Sequence, residues 1–397
     1  SNIDAENELT TSWKEFTYCF DRDLYPLSLP SNLTNAQRNA LPSKILKLQF
    51  QFNKGKDWYR GFVAESNYQD MAANLAFDFW INDLEFIEGD CPNTSTFQSS
   101  AGTNKPFPQN ANIGTCTPAS AGAGTAAAFN GALSRIYATW TRNFVRDNRV
   151  IAPEQENGVT TSESMGYGML IAAAMGDKVA FDKFWGYVQT KLSGGLMTWK
   201  EGQTGSATDG DVDIAYALKM AGAQWGGSYA SAADTMIAAI KSQDVSGSRL
   251  KAGSNWDPGF NPSYFAPSYF REFGGMDSVT TACYSLLSTN VNAQTGRFPT
   301  DWTDTSGGPV TGQSLGAQVT AGFTVPVYGY DAARVPWRIG HDGCLNGGTG
   351  ATLSNSIVDF FAAKYDAGAT IDLMKAGWVK SSGNPAGSGD GAALLQQ

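Results

Sequence analysis

From about Phe129 onward, the chain consists of successive apolar segments with helical spacing, separated by short turns that contain glycine or aspartate. The segments read AFNGALSRIYATWTRNFV, ESMGYGMLIAAAM, VAFDKFWGYVQTKL, DVDIAYALKMAGAQW, YASAADTMIAAIK, MDSVTTACYSLLSTN, AARVPWRIG and NSIVDFFAAKYDA. Apolar residues recur every three or four positions in each, which is the period of a helix, and strand signals are few. Serial helical hairpins pack helix on helix, so the sequence predicts an all-α domain. An α-solenoid would require a fixed sequence period, and none is visible.

Residues 1–90 differ in texture from this helical part. An aromatic-rich helical pattern is followed by an alternating β-strand pattern at 46–52. We expect a structural accessory to the helical domain and not a separate enzyme, because this stretch carries no paired carboxylate motif. A sugar-binding module is the competing interpretation, since Trp58, Tyr59 and Trp80 could form a flat platform.

Residues 91–127 are rich in Ser, Thr, Gly, Ala, Asn and Pro, so they read as a loop or linker before a domain at 128–397. Cys91 and Cys116 bracket this stretch and could close it with a disulfide, or could remain free thiols. The five cysteines form no CxxC pair, which argues against a structural zinc site, and their odd number leaves at least one thiol unpaired. We expect no metal and no cofactor.

Charge composition narrows the class of partner. The net charge is −9 and no run of Lys and Arg is present, whereas nucleic-acid binders concentrate cationic side chains on one face. The acidic balance also argues against docking on an anionic membrane, and no stretch approaches about 18 uninterrupted apolar residues. Charged residues make up only 16% of the chain and aromatic residues 12%. We expect a secreted or periplasmic monomer, without nucleic-acid or membrane partners.

Three acidic segments stand out as candidates for acid–base chemistry that uses one protonated and one ionised carboxyl group, as glycosidic bond cleavage does. The first segment is TTSESMGYGM, in which Glu163 opens an apolar helix of small residues. Such surroundings would exclude water from the carboxyl group, and desolvation raises a carboxyl pKa, as a general acid requires. The structural alternative is a capping box formed by Thr160 and Glu163.

The second segment is ATDGDVDIAYAL, which carries three aspartates around a helix start. They could cap the helix, interact with the positive end of its dipole, or bind calcium. The calcium-loop pattern fails because the later ligand positions are Ala and Leu. We expect Asp211 or Asp213 to cap the helix, and Asp209 to be the aspartate best exposed to a cleft.

The third segment is YGYDAARVPWR, in which Asp331 and Arg334 lie three residues apart at a helix start. Taken alone, this is a capped helix with a local ion pair. The functional interpretation is that the arginine holds Asp331 ionised, as a base must be. The only histidine is His341, which argues against a His-based catalytic triad and against a His-rich metal site.

In this order, the segments resemble those of the family-8 glycoside hydrolases. SESMGYGM is similar to the acid motif of that family, and ATDGDVDIAYAL is similar to its aspartate-bearing signature. Residues 261–267 (NPSYFAP) and 330–339 (YDAARVPWRI) resemble two further family segments. The four motifs lie within residues 129–340. The resemblance implies an inverting enzyme whose catalytic domain is an (α/α)6 barrel.

The resemblance also implies roles for individual residues. Glu163 would be the acid that protonates the leaving oxygen, and Asp331 the base that activates water on the opposite face of the sugar. Asp209 would grip and help distort the sugar ring, and Arg334 would orient Asp331. The aromatic residues expected to line the sugar cleft are Trp199, Tyr264 and Tyr330. Trp256 is a further candidate, for which a core position is an equal alternative.

Three features depart from the family pattern. Ser164 stands where the family has glycine, and could narrow the space beside the acid. Lys219 and Met220 interrupt an expected apolar run. A glycine-rich segment at 381–391 stands where such a barrel has its last helical hairpin. We expect that hairpin to be truncated, or to be replaced in packing by residues 1–90.

Together these observations predict an endo-acting, inverting hydrolase of β-1,4-glucan, such as cellulose or mixed-linkage glucan. Endo-β-1,4-xylanases and chitosanases belong to the same family, and the position of Asp331 favours the glucanase or xylanase subgroup without separating glucose from xylose. The alternative of another class is a polysaccharide-binding or assembly protein with impaired catalysis. The presence of all three acidic residues argues against that alternative.

Overall fold

The computed structural model describes residues 136–137, 140–141, 144–152, 158–316, 323–366 and 377–386. All of them belong to the compact unit that spans residues 98–397. The predicted accessory region at 1–90, the linker at 91–127 and a disulfide between Cys91 and Cys116 lie outside the described residues.

From Ser162 onward, the described residues form eight α-helices, which follow one another as four pairs. The pairs are α1 (Ser162–Met175) and α2 (Lys178–Gln189), α3 (Thr208–Trp225) and α4 (Tyr229–Gln243), α5 (Pro267–Phe273) and α6 (Asp277–Asn292), and α7 (Val335–Asn346) and α8 (Gly348–Asp366). The two helices of each pair are in contact, and so are α1 with α3, α5 with α7, and α6 with α8. The serial helical hairpins predicted over these residues are therefore confirmed.

Short antiparallel strands of two residues each separate the helix pairs. The two-stranded hairpins are β1 (Val145–Arg146) with β2 (Arg149–Val150), β3 (Leu192–Ser193) with β4 (Leu196–Met197), β5 (Val245–Ser246) with β6 (Arg249–Leu250), and β7 (Trp302–Thr303) with β8 (Pro309–Val310). One such hairpin precedes each helix pair, so the chain repeats the order hairpin, helix, helix four times. The fold is thus helical with small sheets, and strands of two residues are too short to show in a hydrophobic period.

The described residues after α8 form strands and not a helix. These strands, β10 (Trp378–Val379) and β11 (Asn384–Pro385), join β9 (Val327–Tyr328), which precedes α7, in a three-stranded sheet of order β11–β10–β9. Lys380, which directly follows β10, is fully buried. Its Nζ donates to the carbonyl oxygens of Val291 at 3.0 Å and Phe298 at 2.6 Å. This buried ammonium group ties the sheet to the end of α6.

The first helices of the pairs are more completely buried than the second helices. On α1, buried residues cover most sides of the helix and include Gly166, Gly168 and Ala172, and α3 is buried in the same way. On α2, only a stripe that includes Phe181 and Phe184 is buried. A helix that is apolar nearly all round belongs in the interior, whereas one with a single apolar stripe lies outside. α1 and α3 therefore form an inner layer.

Two glycines allow α1 and α3 to approach each other closely. A Cβ atom added to Gly166 would lie 2.7 Å from the Cβ of Asp213, and one added to Gly210 would overlap the side chain of Ser162. Larger residues at these positions would push the helices apart. The small residues of the first two acidic segments thus set how close their helix starts come.

Two buried aspartates lie where α3 begins and α4 ends. Oδ1 of Asp211 accepts a hydrogen bond from the Met197 amide at 2.8 Å, and Oδ1 of Asp244 accepts one from Ser206 Oγ at 3.3 Å. The Oδ2 atom of each has no hydrogen-bond partner among the described residues. Burial, and then the charge of Asp244, raises the pKa of Asp211, while burial raises the pKa of Asp244 to about 6.

These pKa values predict that acid stabilises the fold. Between the ordinary pKa of 3.8 and the folded value of about 6 for Asp244, the folded state holds a proton that the unfolded chain has released, so the free energy of unfolding falls as the pH rises. We predict greater stability in urea at pH 5 than at pH 7.5. Asp244→Asn should add about 1–3 kcal/mol at pH 7.5 and flatten the pH dependence.

The control is Asp234→Asn, which changes an exposed aspartate on α4, the helix that Asp244 directly follows. This variant should alter neither the stability nor its slope against pH. An Asp244→Asn variant with the same pH slope as the unmodified protein would contradict the prediction. Urea unfolding followed by circular dichroism at both pH values provides the measurement.

Candidate active site

One guanidinium group contacts three carboxylates. Arg334 Nη1 lies 2.5 Å from Glu163 Oε1 and 2.9 Å from Asp209 Oδ2, while Nη2 lies 2.6 Å from Asp331 Oδ1. The hydroxyl of Tyr167 donates to the same Glu163 oxygen at 2.9 Å. The three acidic segments, which are far apart in the sequence, therefore meet at one point, which we call the Arg334 cluster (Glu163, Asp209, Asp331 and Arg334).

Each carboxylate of the cluster stands at the start of the first helix of a pair. Glu163 lies in the first turn of α1 and Asp209 in the first turn of α3. Asp331 directly precedes the short 3-10 turn Ala332–Arg334, which runs into α7. The positive end of a helix dipole stabilises a nearby negative charge. These helix starts are therefore suited to hold carboxylates together.

The cap of α1 leaves the Glu163 carboxylate free. Thr161 is the N-cap, and it exchanges hydrogen bonds of 3.1 Å with Ser164, each amide donating to the other residue's hydroxyl oxygen. The predicted capping box of Thr160 and Glu163 is wrong because the box is shifted by one residue. Thr160 instead donates through Oγ1 to the Val150 carbonyl at 2.8 Å. The hydroxyl of Ser164, where the family has glycine, is engaged by this cap.

The expectation that small residues exclude water from Glu163 is also wrong. Its side chain is 40% exposed, because a residue in the first turn projects beyond the buried body of α1. The contacts that hold the carboxylate come from Tyr167, one turn further along the same face, and from Arg334.

Asp209 is buried, with a side chain only 2% exposed, so the expectation that it faces a cleft is wrong. Its Oδ1 accepts a hydrogen bond from the Gly210 amide at 2.8 Å, and its Oδ2 contacts Arg334. Burial, and then the charge of Glu163, raises the pKa of Asp209 to about 7, while Arg334 acts in the opposite sense. The contact between α1 and α3 encloses this carboxyl group.

Asp211 and Asp213 do not cap α3, whose N-cap is Ala207 without a side-chain hydrogen bond. Asp213 instead forms a fully buried ion pair with Arg338, in which Nη2 and Oδ2 are 2.9 Å apart. Asp209 and Asp213 are four residues apart on α3, as Arg334 and Arg338 are along the chain entering α7. The two helix starts are therefore joined by two successive arginine–aspartate pairs.

Asp331 receives a donor on each oxygen. Nη2 of Arg334 contacts Oδ1, and Nδ2 of Asn261 donates to Oδ2 at 2.9 Å. The predicted local ion pair is confirmed, and it is one part of the larger cluster. Burial raises the pKa of Asp331, with Glu163 acting in the same sense, while Arg334 and the hydrogen bond from Asn261 lower it.

The shared guanidinium limits the distance between Glu163 and Asp331. Their nearest oxygens lie 2.5 and 2.6 Å from the two terminal nitrogens of Arg334. Because the planar fork fixes the spacing of those nitrogens, the two oxygens are at most about 7.5 Å apart. The two carboxylates can therefore act on one small group.

The aromatic residues predicted to contact sugar have different environments. Trp199, Trp256 and Tyr330 are 36%, 37% and 48% exposed, so a core position for Trp256 is excluded. The carbonyl of Trp199 accepts from the Ser162 amide at 2.9 Å, which places it beside the start of α1. Tyr264 is half-buried, with its ring centroid 5.7 Å from the guanidinium carbon of Arg334. The backbone of Trp199 and the ring of Tyr264 therefore lie next to the cluster, and Tyr330 directly precedes Asp331 in the chain.

Two residues that donate hydrogen bonds to the Arg334 cluster, Tyr167 and Asn261, had no predicted role. Tyr167 lies one helical turn after Glu163, and that spacing is a signal that could have identified it. Asn261 is 70 residues from Asp331, and no local signal indicates their contact. His341 lies outside the cluster, where its Nδ1 shares a hydrogen bond of 2.7 Å with Ser268 Oγ.

In the described part of the chain, no set of three His, Cys, Asp or Glu residues is arranged to hold a metal ion. Within these residues, no helix combines the length and the apolar character that crossing a membrane requires. The acidic residues of the cluster share one arginine, whose single positive charge offsets only part of their negative charge.

The family model for glycosyl hydrolases family 8 matches residues 109–394. The chain belongs to this family. The predicted resemblance is thereby confirmed, and the family-8 match begins within residues 91–127, the stretch predicted to be a loop or linker.

Curated relatives of this chain are named endoglucanase or beta-glucanase. Endoglucanase 2 of Ruminiclostridium josui is 32% identical over 299 residues, which is 68% of this chain and 62% of the relative. Endoglucanase A of Acetivibrio thermocellus is 33% identical over 251 residues, 56% of this chain and 50% of the relative. Beta-glucanase of Niallia circulans is 29% identical over 336 residues, which is 74% of this chain and 80% of the relative. The chain thus spans 62% and 50% of the two endoglucanases.

Solved structures share the fold of this family-8 chain. A beta-1,3-1,4-glucanase from Paenibacillus sp. X4 superposes with a TM-score of 0.61 at 27% identity, covering 74% of this chain and 87% of that chain. A cold-adapted family 8 xylanase superposes with a TM-score of 0.51 at 21% identity, covering 66% and 79%. At that identity, the second likeness concerns the fold alone.

The Arg334 cluster generates a prediction about stability. Arg334→Gln leaves three neighbouring carboxylates without their shared cation, and should lower the free energy of unfolding by about 3 kcal/mol at pH 7.5. The loss should be smaller at pH 5, because protonation relieves the repulsion among the carboxylates. Urea unfolding at both pH values measures the difference.

Lys178→Gln is the control, since it removes one member of a partly exposed pair, 2.6 Å from Asp182 on α2, and should cost less than about 0.5 kcal/mol at either pH. Equal losses for Arg334→Gln at pH 5 and pH 7.5 would show that the charge balance is not what the arginine provides.

Proposed function

We propose that this chain is an inverting, endo-acting glycoside hydrolase that cleaves β-1,4-linked glucan, such as cellulose or mixed-linkage glucan. The observation that carries the proposal is the Arg334 cluster, in which three carboxylates from three helix starts share one guanidinium. The relatives named endoglucanase and beta-glucanase support glucan as the substrate class. We further propose that the helix pairs belong to an (α/α)6 barrel and that the protein is a secreted monomer.

In the proposed reaction, Glu163 protonates the leaving glycosidic oxygen. It has the most exposed carboxylate of the cluster, at 40%, and can therefore reach a bound sugar. The hydrogen bonds described for this carboxyl group both end on Oε1, which leaves Oε2 to carry and donate the proton.

The cluster places three carboxylates around one arginine. Like charges at such short distances resist simultaneous ionisation, so their protons come off in coupled steps. Burial, and then the negative charge of Glu163, raises the pKa of Asp209 to about 7. We propose that Asp209 itself holds a proton next to Glu163. The predicted contact of Asp209 with the distorted sugar ring stays a prediction.

Asp331 acts as the base in this proposal. Because both of its oxygens accept hydrogen bonds from N–H donors, Arg334 and Asn261 favour its ionised form. An ionised carboxylate can take a proton from the water that attacks the anomeric carbon. Inverting pairs lie about 6.5–9.5 Å apart and retaining pairs about 5–5.5 Å. The upper bound set by Arg334 admits the lower end of the inverting range, so stereochemistry has to be measured directly.

The assignment of acid and base predicts the effect of isosteric variants. Glu163→Gln and Asp331→Asn should each lower kcat on glucan by at least about 1000-fold, because neither amide can exchange the required proton. Their melting temperatures should stay near that of the unmodified protein. Glu272→Gln, an exposed change on α5, is the control and should keep full activity. Either cluster variant with more than a tenth of normal kcat would refute its assigned role.

The substrate and the stereochemistry are tested with the unmodified protein. Reducing-sugar release should occur on carboxymethylcellulose and lichenan, and be weaker on xylan and chitosan. Proton NMR during hydrolysis should show the α-anomer appearing first, because inversion converts the β-linkage. Reducing-sugar release from xylan or chitosan alone would show that the substrate is not glucan. Early appearance of the β-anomer would refute inversion. Retention of glucan without chain shortening would favour the non-catalytic binding alternative.

A further inference from the structure

We propose that Asp301 is a positioning residue for Asp331, because its carboxylate fixes the turn that presents the base. The inference rests on the proposed function, in which Asp331 is that base. Asp301 directly precedes β7, and its position in the sequence gave no reason to connect it with the Arg334 cluster.

A single oxygen of Asp301 holds both ends of the turn. Oδ1 accepts hydrogen bonds from the Gly329 amide at 2.9 Å and from the Ala332 amide at 2.8 Å. These two amides bracket Tyr330 and Asp331. The oxygen therefore fixes the backbone on either side of the base, and with it the direction in which the Asp331 side chain leaves the turn.

The backbone around Asp301 is itself anchored to the cluster. The Asp301 amide donates to the carbonyl of Val327, at the start of β9, over 3.0 Å. Thr303, two residues further on, exchanges backbone hydrogen bonds of 2.9 and 3.2 Å with Phe260, which precedes Asn261. The segment 301–303 is thus connected to both the turn that carries Asp331 and the residue that donates to Asp331 Oδ2.

The fit between Asp301 and the turn requires glycine at position 329. A Cβ atom added to Gly329 would lie 2.5 Å from Asp301 Oδ2 and 3.2 Å from the carboxyl carbon. The carboxylate therefore packs directly against the Gly329 backbone. Any side chain at this position would displace either the carboxylate or the turn.

The positioning contact does not depend on ionisation of Asp301. Burial, and then the charge of Asp331, raises the pKa of Asp301 to about 7, while the Ala332 and Gly329 amides lower it. The charged or titratable groups that face it are Asp331 and Arg334 from the turn and Tyr328 from β9. Because Oδ1 accepts both amides, a proton would reside on Oδ2. Asparagine, whose carbonyl oxygen can replace Oδ1, therefore mimics the contact.

The test compares Asp301→Ala with Asp301→Asn. Asp301→Ala should lower kcat on glucan by at least about 30-fold with a much smaller change in KM, since misplacing a reacting group by about 1 Å costs on the order of 100-fold. Asp301→Asn should keep kcat within about threefold of the unmodified protein. A merely structural role would produce neither this division between kcat and KM nor the rescue.

Asp304 provides a matched control, because its Oδ1 also accepts two amides, from Ser306 and Gly308, both at 2.8 Å. Its contacts shape the turn between β7 and β8, so Asp304→Ala should leave kcat unchanged. Gly329→Ala perturbs the same turn while keeping Asp301 itself, and it should lower kcat as Asp301→Ala does.

A readout without catalysis separates this proposal from the proposed function. Hydrogen exchange should show faster exchange of the Gly329 and Ala332 amides in Asp301→Ala, and near-normal exchange in Asp301→Asn. Unchanged exchange or unchanged kcat in Asp301→Ala would overturn the positioning role, as would an Asp301→Asn variant that is folded yet as slow as Asp301→Ala. An unmodified protein that releases no sugar from glucan would instead refute the proposed function, while the exchange result would still decide the role of Asp301.

Discussion

The structure depends on Arg334, a largely buried cation that contacts carboxylates from three separate helix starts. Carboxylates this close together are unstable unless a cation and hydrogen-bond donors compensate for their lost hydration. The planar guanidinium satisfies this requirement with a fixed fork of donors. Because each carboxylate must reach that fork, the starts of α1, α3 and the turn before α7 have little freedom in their relative positions.

The helix packing is adapted to this constraint. Gly166 and Gly210 bring α1 against α3, and the buried pair of Asp213 and Arg338 repeats the arginine–aspartate contact one turn further from the cluster. The second pair has no exposed oxygen to offer a substrate. It holds the chain entering α7 in register with α3, so that Arg334 is directed at Asp209 and the neighbouring carboxylates.

Carboxyl burial links the site to the stability of the fold. Asp209, Asp211, Asp244 and Asp301 all have raised pKa values because they are enclosed by protein. Each therefore favours the folded state more at acidic than at neutral pH. In the Arg334 cluster, the negative charge of Glu163 adds to the effect of burial on Asp209. The buried carboxyl groups of the site thus contribute to the greater stability expected of the domain at acidic pH.

The sequence by itself determined the helix pairs and the acidic segments of the cluster. Apolar spacing is a local property of a helix, and the motifs around Glu163, Asp209, Asp331 and Arg334 are contiguous in the chain, so both could be predicted. Tertiary structure alone decided that Asn261 donates to a carboxylate 70 residues away. It also decided that Asp209 is enclosed while Glu163 stays exposed. Such contacts and exposures depend on how the helix starts pack against each other, which no local spacing records.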